Sequence, residues 1–267
     1  MKKIVVSLLA TGVLALTSLA HAADTTVDPK QADVLRAAIQ KGRPGIPVGD
    51  IRTSVVPGMY EVDLAGKDTV LMTPDGKYLI SGTVYRIEEN RFVNVEDERL
   101  RPVRAAKLAA VKKEDMVVFS PKGPVKAYVD VFTDVDCGFC RKLHKEVPAL
   151  NAMGIEVRYL AFPRAGVPSP SADKLATVWC SENRQETLTQ MKNGASVPTK
   201  TCDKNPIAAQ YQLGNELGVN GTPALFKPDG TLLPGYMPAA ELAAALGVQA
   251  PAPATQPPAT LAAPAVH

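Results

Sequence analysis

The chain has 267 residues, 46% hydrophobic and 21% charged, with 30 basic and 27 acidic side chains. That near-balance leaves no basic footprint for nucleic acid or a membrane surface. The apolar content is enough to bury ordinary cores, and four cysteines are too sparse for a disulfide scaffold.

The first element is a targeting segment. Lys2 and Lys3 precede an apolar stretch from Ile4 to about Leu19, followed by Ala20-His21-Ala22, which has small residues where a signal peptidase reads them. Residues 1–22 are expected to be a cleaved secretory signal rather than an anchor. Thr11, Gly12, Thr17 and Ser18 interrupt the apolar run, and no later stretch approaches membrane-spanning length. Cleavage takes the formal charge from +3 to +1 and leaves 245 residues, which suggests two domains.

Asp33 to Gln40 carries Val34, Leu35, Ala38 and Ile39 at helical spacing, and Gly42 follows. From Ile51 the period changes to that of strands. Residues 54–64, 69–73 and 77–81 read as β-runs, with Pro74-Asp75-Gly76 as a turn. Residues 23–88 are thus expected to form a small α+β module whose sheet edges invite pairing with a second copy. Residues 89–115 read as a linker helix, with Pro102 in its first turn and Leu100, Val103, Leu108 and Val111 on one broad face.

Residues 116–249 are expected to form a second, α/β domain. Val125 to Thr133, residues 138–152 and Gly154 to Ala161 make a βαβ unit. Residues 168–216 read as helices and loops. Gly221 to Phe226 and Thr231 to Leu233 are strands about the turn Pro228-Asp229-Gly230, and Ala239 to Leu246 is a closing helix. Residues 250–267 are a Pro/Ala-rich tail with too little to bury for a fixed structure.

The βαβ unit places Cys137-Gly138-Phe139-Cys140 at its first strand-to-helix turn. There, free backbone N–H groups and the helix dipole favour a thiolate at Cys137, the nucleophile, while Cys140, one turn in, is shielded and near enough to resolve a mixed disulfide. Arg141, Lys142 and His144 add positive charge or are solvated helix residues, His144 reading as a bystander. No metal site is expected, because zinc wants compact ligand clusters and 21 residues separate Cys180 from Cys202. A purely structural Cys137–Cys140 bridge would close too short a loop to stabilise much. Cys180 and Cys202 lack these features and enclose a loop whose closure is worth roughly 3 kcal/mol, so they read as a structural disulfide. In Gly221-Thr222-Pro223 the proline at a strand start is compatible with a cis or a trans peptide.

Taken together, the α+β module, the linker helix, VFTDVDCGFCRKLH, GIEVRYLAFPRAG, VWC at 178–180, GVNGTPALF and GTLLPGY resemble the DsbC family of dimeric periplasmic disulfide isomerases. The resemblance implies an α+β N-terminal dimerisation domain, a linker helix, and a C-terminal α/β thioredoxin-like domain with a helical insertion carrying the second disulfide. It assigns Cys137 as attacking thiol, Cys140 as resolving thiol and Thr222-Pro223 as a cis-proline pair that meets substrate. It further implies a homodimer in the Gram-negative periplasm, misfolded exported proteins as substrates, an inner-membrane electron donor of the DsbD type and no cofactor. Within the same chemistry a DsbG-like reductase of oxidised single cysteines is the alternative, and a holdase chaperone is a third reading. Gly138-Phe139 favours the isomerase. One departure from the family is Asp136, a carboxylate directly before the nucleophile, which is expected to oppose the helix dipole and weaken the thiolate.

Overall fold

A computed structural model describes residues 27–64 and 68–249, so the expected signal at 1–22 and the tail at 250–267 lie outside the described residues. Contacts divide the chain into two units, the first ending at Ser81 and the second starting at Gly82.

In the first unit, helix α1 (Pro29–Gly42) begins four residues before the periodicity predicts. The cause is local. The Asp28 carboxylate accepts the Lys30 N–H at 2.8 Å, and Pro29 at the first helical position has no N–H to leave unsatisfied. Leu35 and Ile39 of α1 pack on Val62, Val70 and Met72 of an antiparallel sheet ordered β1 (Val48–Thr53), β2 (Tyr60–Leu64), β3 (Asp68–Met72) and β4 (Leu79–Ser81). The run at 54–64 does not form one strand. Pro57 lacks a ladder donor and Gly58 takes φ +75°, so a turn separates β1 from β2. Among the described residues β4 pairs only with β3, and Ile80 upon it is 54% exposed.

The second unit opens with a hairpin that the sequence reading missed, β5 (Tyr85–Glu88) and β6 (Arg91–Asn94), turned at Asn90 with φ 60°. Helix α2 (Val95–Ala109) follows, and Pro102 lies in its interior rather than its first turn. The helix starts earlier because the Asn94 side chain accepts the Asp97 N–H at 3.0 Å, with Glu96, Asp97 and Glu98 favouring the positive dipole end. Its buried face also differs from expectation: Arg104 and Leu108 point inward, whereas Val103 is 52% exposed. α2 packs on the second unit, with the Arg104 guanidinium donating to the Leu217 carbonyl at 3.1 Å and Lys107 pairing with Glu216 at 2.6 Å.

A five-stranded sheet lies at the centre of this unit, in the order β11 (Leu232–Leu233), β10 (Ala224–Phe226), β8 (Ala127–Thr133), β9 (Ile155–Ala161) and β7 (Val117–Phe119). β8 and β9 are parallel and joined by α3 (Gly138–Ala152); the remaining pairs are antiparallel. Both central strands are buried along nearly their whole length, as a strand covered on two faces must be. On one face Val129, Val131 and Val157 meet Leu143, Val147 and Leu150 of α3, Leu175 of α4 (Pro170–Trp179), Leu188 of α5 (Arg184–Lys192) and Leu242 of α7 (Ala239–Ala245). On the other, Phe132, Leu160 and Phe226 pack with Leu108 of α2 and with Leu217, which closes α6 (Ile207–Glu216). Period-two alternation along each strand sends neighbouring residues into these two cores. The architecture is an α+β unit followed by an α/β unit with a helical insertion.

Candidate active site

β8 ends at Thr133, and the turn it enters is fixed by one buried carboxylate. Asp134 accepts the backbone N–H of Asp136 at 2.8 Å and that of Arg164 at 2.9 Å, and its carbonyl takes the Cys137 N–H at 3.3 Å. This sets Cys137 as the N-cap of α3, in an extended conformation, with its carbonyl accepting the Arg141 N–H at 3.0 Å. The Cys137 sulfur faces the helix start, where the Cys140 backbone N–H is turned toward it.

Across from it lies the Thr222–Pro223 peptide bond, which is cis. The Cys137 sulfur lies 3.2 Å from the Thr222 carbonyl oxygen, and the buried Thr222 hydroxyl has no partner apart from that sulfur, on which it acts to favour the thiolate. Beside Cys137, Phe139 stands 62% exposed. Cys140 is fully buried one turn into α3, and both thiols are free. Cys180 and Cys202 are joined in a disulfide that closes over the insertion.

The two thiols are pushed in opposite directions. A hydrogen bond from the Cys140 thiol holds the Cys137 thiol well below its ordinary range, helped by the Cys140 backbone N–H and the Arg164 guanidinium. Burial, together with that same bond, pushes the Cys140 thiol up. Cys137 is therefore the thiolate of the pair at neutral pH.

Other expected features need correction. Asp136 does not stand alone before the nucleophile: its carboxylate accepts from Lys174 Nζ at 2.8 and 3.1 Å, and Arg141 lies at 3.8 Å. Its charge is balanced chiefly by Lys174 of α4, so the expected opposition to the dipole is largely offset. His144 is not a solvated helix residue. It is buried between the Tyr159 hydroxyl at 3.1 Å and Thr189 Oγ1 at 3.0 Å, and burial with the nearby Lys192 charge pulls it down to about 4, leaving it neutral. Sequence reasoning passed over Asp134, Arg164, Thr133 and Lys192, which come from three separate segments. Only the DVD and FPR stretches next to the cysteines and the end of β9 hinted at the first two.

Comparison with known proteins covers both units. A family profile described as a thioredoxin-like domain matches residues 112–249, and one described as the disulfide bond isomerase protein N-terminal domain matches residues 19–97. The thiol:disulfide interchange protein DsbC of Escherichia coli is 39% identical over 208 residues, covering 77% of this chain and 85% of that protein. DsbC of Pasteurella multocida is 35% identical over 243 residues, covering 91% of this chain and 97% of its own. Among solved structures, a disulfide interchange protein from Neisseria gonorrhoeae is 30% identical with a TM-score of 0.46, covering 51% of this chain and 96% of that one.

Proposed function

The chain belongs to the DsbC family of thiol:disulfide interchange proteins, and we propose that it rearranges incorrect disulfides in exported proteins through the Cys137–Cys140 dithiol. The observation that carries this reading is the split ionisation of two free thiols at one helix start, beside a second cysteine pair already locked in its own disulfide.

The Cys137 thiolate attacks one sulfur of a substrate disulfide, forming a Cys137–substrate bond and releasing the other substrate sulfur as a thiolate. Two exits follow. If a substrate thiolate attacks the substrate sulfur of the mixed disulfide, a new pairing forms, Cys137 leaves as thiolate and no electrons are consumed. If Cys140 loses its proton and attacks Cys137 Sγ, the substrate leaves reduced and a Cys137–Cys140 disulfide forms, which a dithiol reductant must reopen. The Thr222 hydroxyl lies against the Cys137 sulfur and helps hold it as the thiolate that makes the first attack. Exposed Phe139 offers an apolar contact to a misfolded chain.

We place the protein in the periplasm as a homodimer, with an inner-membrane donor of the DsbD type returning electrons to the dithiol. The exposed edge at β4, with Ile80 upon it, supports pairing between two copies of the first unit. The test is refolding of scrambled ribonuclease by the reduced protein. Wild type should restore ribonuclease activity and Cys137→Ser should fall to the uncatalysed rate; equal rates would overturn the proposal.

A further inference from the structure

Lys192 is the last residue of α5 and only 2% exposed. Burying an ammonium is costly, and such groups are ordinarily paired with a carboxylate. Here the partners are neutral: Nζ donates to Thr133 Oγ1 at 2.5 Å and to the Asp134 carbonyl at 3.0 Å. The Asp134 carboxylate itself is engaged by Arg164. The Thr133 hydroxyl in turn hydrogen-bonds the Cys140 sulfur, so a chain runs from the buried ammonium through one hydroxyl to the resolving thiol.

The groups around Lys192 come from every element packed against it. Cys140, Arg141 and His144 lie on α3, with Cys137 at its cap. Asp134 follows β8, and the Tyr159 ring of β9 is 5.8 Å away. His144 and Tyr159 stay neutral, and Arg141 opposes the ammonium rather than balancing it. The groups there that gain negative charge during thiol exchange are the two cysteines. Cys137 already has its own stabilisation at the helix start, whereas Cys140 is buried and raised.

We propose that Lys192 is the positioning residue for the resolving step, holding the Cys140 thiolate through the Thr133 hydroxyl and so setting how often a mixed disulfide leaves by reduction rather than by rearrangement. This rests on the isomerase reading above. The proton balance is simple. The resting pair is a Cys140 thiol beside a Lys192 ammonium; it gives one proton to solvent, and the proton that remains stays on nitrogen while the thiolate attacks Cys137 Sγ and expels the substrate sulfur. The Cys180–Cys202 disulfide closes the loop that carries α5, which ties the second cysteine pair to the placement of this cation.

The experiment is single-turnover reaction of the reduced full chain with dithiobis(nitrobenzoate), followed by its coloured thiolate. Attack by Cys137 releases the first equivalent and resolution by Cys140 the second, so the two steps are read separately. Lys192→Met should leave the first phase unchanged and slow the second about tenfold at neutral pH, moving its pH profile upward by about one unit. Lys192→Arg, which keeps the charge, should restore the wild-type profile. Thr133→Val should shift the second phase as Lys192→Met does, and provides the test if the methionine variant does not fold. An unshifted second phase in Lys192→Met or Thr133→Val, or an equal shift in Lys192→Arg, would overturn the proposal. Loss of the first phase in the wild-type chain would instead overturn the functional reading and this inference with it.

Discussion

Asp136 adjoins the sulfur that has to become an anion, yet Lys174 and Arg141 balance its charge. Removing members of this group one at a time should therefore move Cys137 in opposite directions. Asp136→Asn leaves two cations unopposed and should lower the Cys137 pKa by a few tenths of a unit, the size expected for a partly solvated charge. Lys174→Met should raise it by a similar amount. The pH dependence of Cys137 alkylation reads both, and shifts of one sign would contradict the balance. A second carboxylate lies further back on the strand that leads to the dithiol. Asp130 on β8 is 3% exposed with Oδ1 unpartnered, and burial, only partly offset by Arg158 and Lys113 and reinforced by Glu156, pushes it up to about 7. Its folded pKa lies above its unfolded one, so its contribution is fully present below about pH 4 and is lost as the pH rises through 7. Asp130→Asn should gain stability over wild type as the pH rises from 4 to 8, by up to about 4 kcal/mol at the top, read as the difference between urea midpoints. The C-x-x-C spacing marks the two thiols locally, whereas Thr222-Pro223 was assigned only through the family resemblance, because a Gly-Thr-Pro run alone suits a cis or a trans peptide. Lys192 was legible by neither route: in the sequence it is one of many lysines, and only folding brings it to the end of β8.

Helix α3 shows which elements a sequence specifies well. Its bounds match the sequence reading because strand, turn and amphipathic run follow one another without competing signals. Helix α2 was harder to read. Pro102 carried the strongest local signal for a first turn, but Asn94 caps the helix two turns earlier and the proline is accommodated in the interior. The hairpin β5–β6 was missed because Asn90 supplies its positive φ without the Asn-Gly pair that usually marks such turns. At α2 the decisive contact is with a backbone turn. Gly230 has φ +81°, and a Cβ there would stand 2.0 Å from the Arg101 carbonyl oxygen. Gly230→Ala should therefore destabilise the chain by about 2 kcal/mol through backbone strain and loss of this packing. The first-phase reaction of Cys137 should persist in the folded fraction, since the turn does not touch the dithiol. Urea unfolding with parallel thiol kinetics checks both; unchanged stability would show that the turn does not hold α2.

At the scale of the whole molecule, the two units were legible as a change from an α+β pattern to a βαβ pattern, while the point where contacts divide, between Ser81 and Gly82, was not. No composition shift marks it, and the boundary falls just before a hairpin that the sequence conceals. The division suggests how activities should separate. A fragment of residues 82–267 keeps α2, the dithiol and its buried cation, so it should reduce insulin with near wild-type activity per dithiol. It lacks the first unit, and with it the β4 edge proposed for pairing, so it should refold scrambled ribonuclease several-fold less well than the full chain. Equal refolding per dithiol would remove pairing from the function. The most direct test concerns the bond on which everything else depends. Cys140→Ser leaves Cys137 able to attack but without its resolving partner, so incubation with scrambled ribonuclease followed by acid quenching and peptide mapping should yield a disulfide from Cys137 to a ribonuclease cysteine. An absence of covalent adduct, or adducts formed only through Cys180 or Cys202, would contradict the assignment of Cys137 as the attacking thiol.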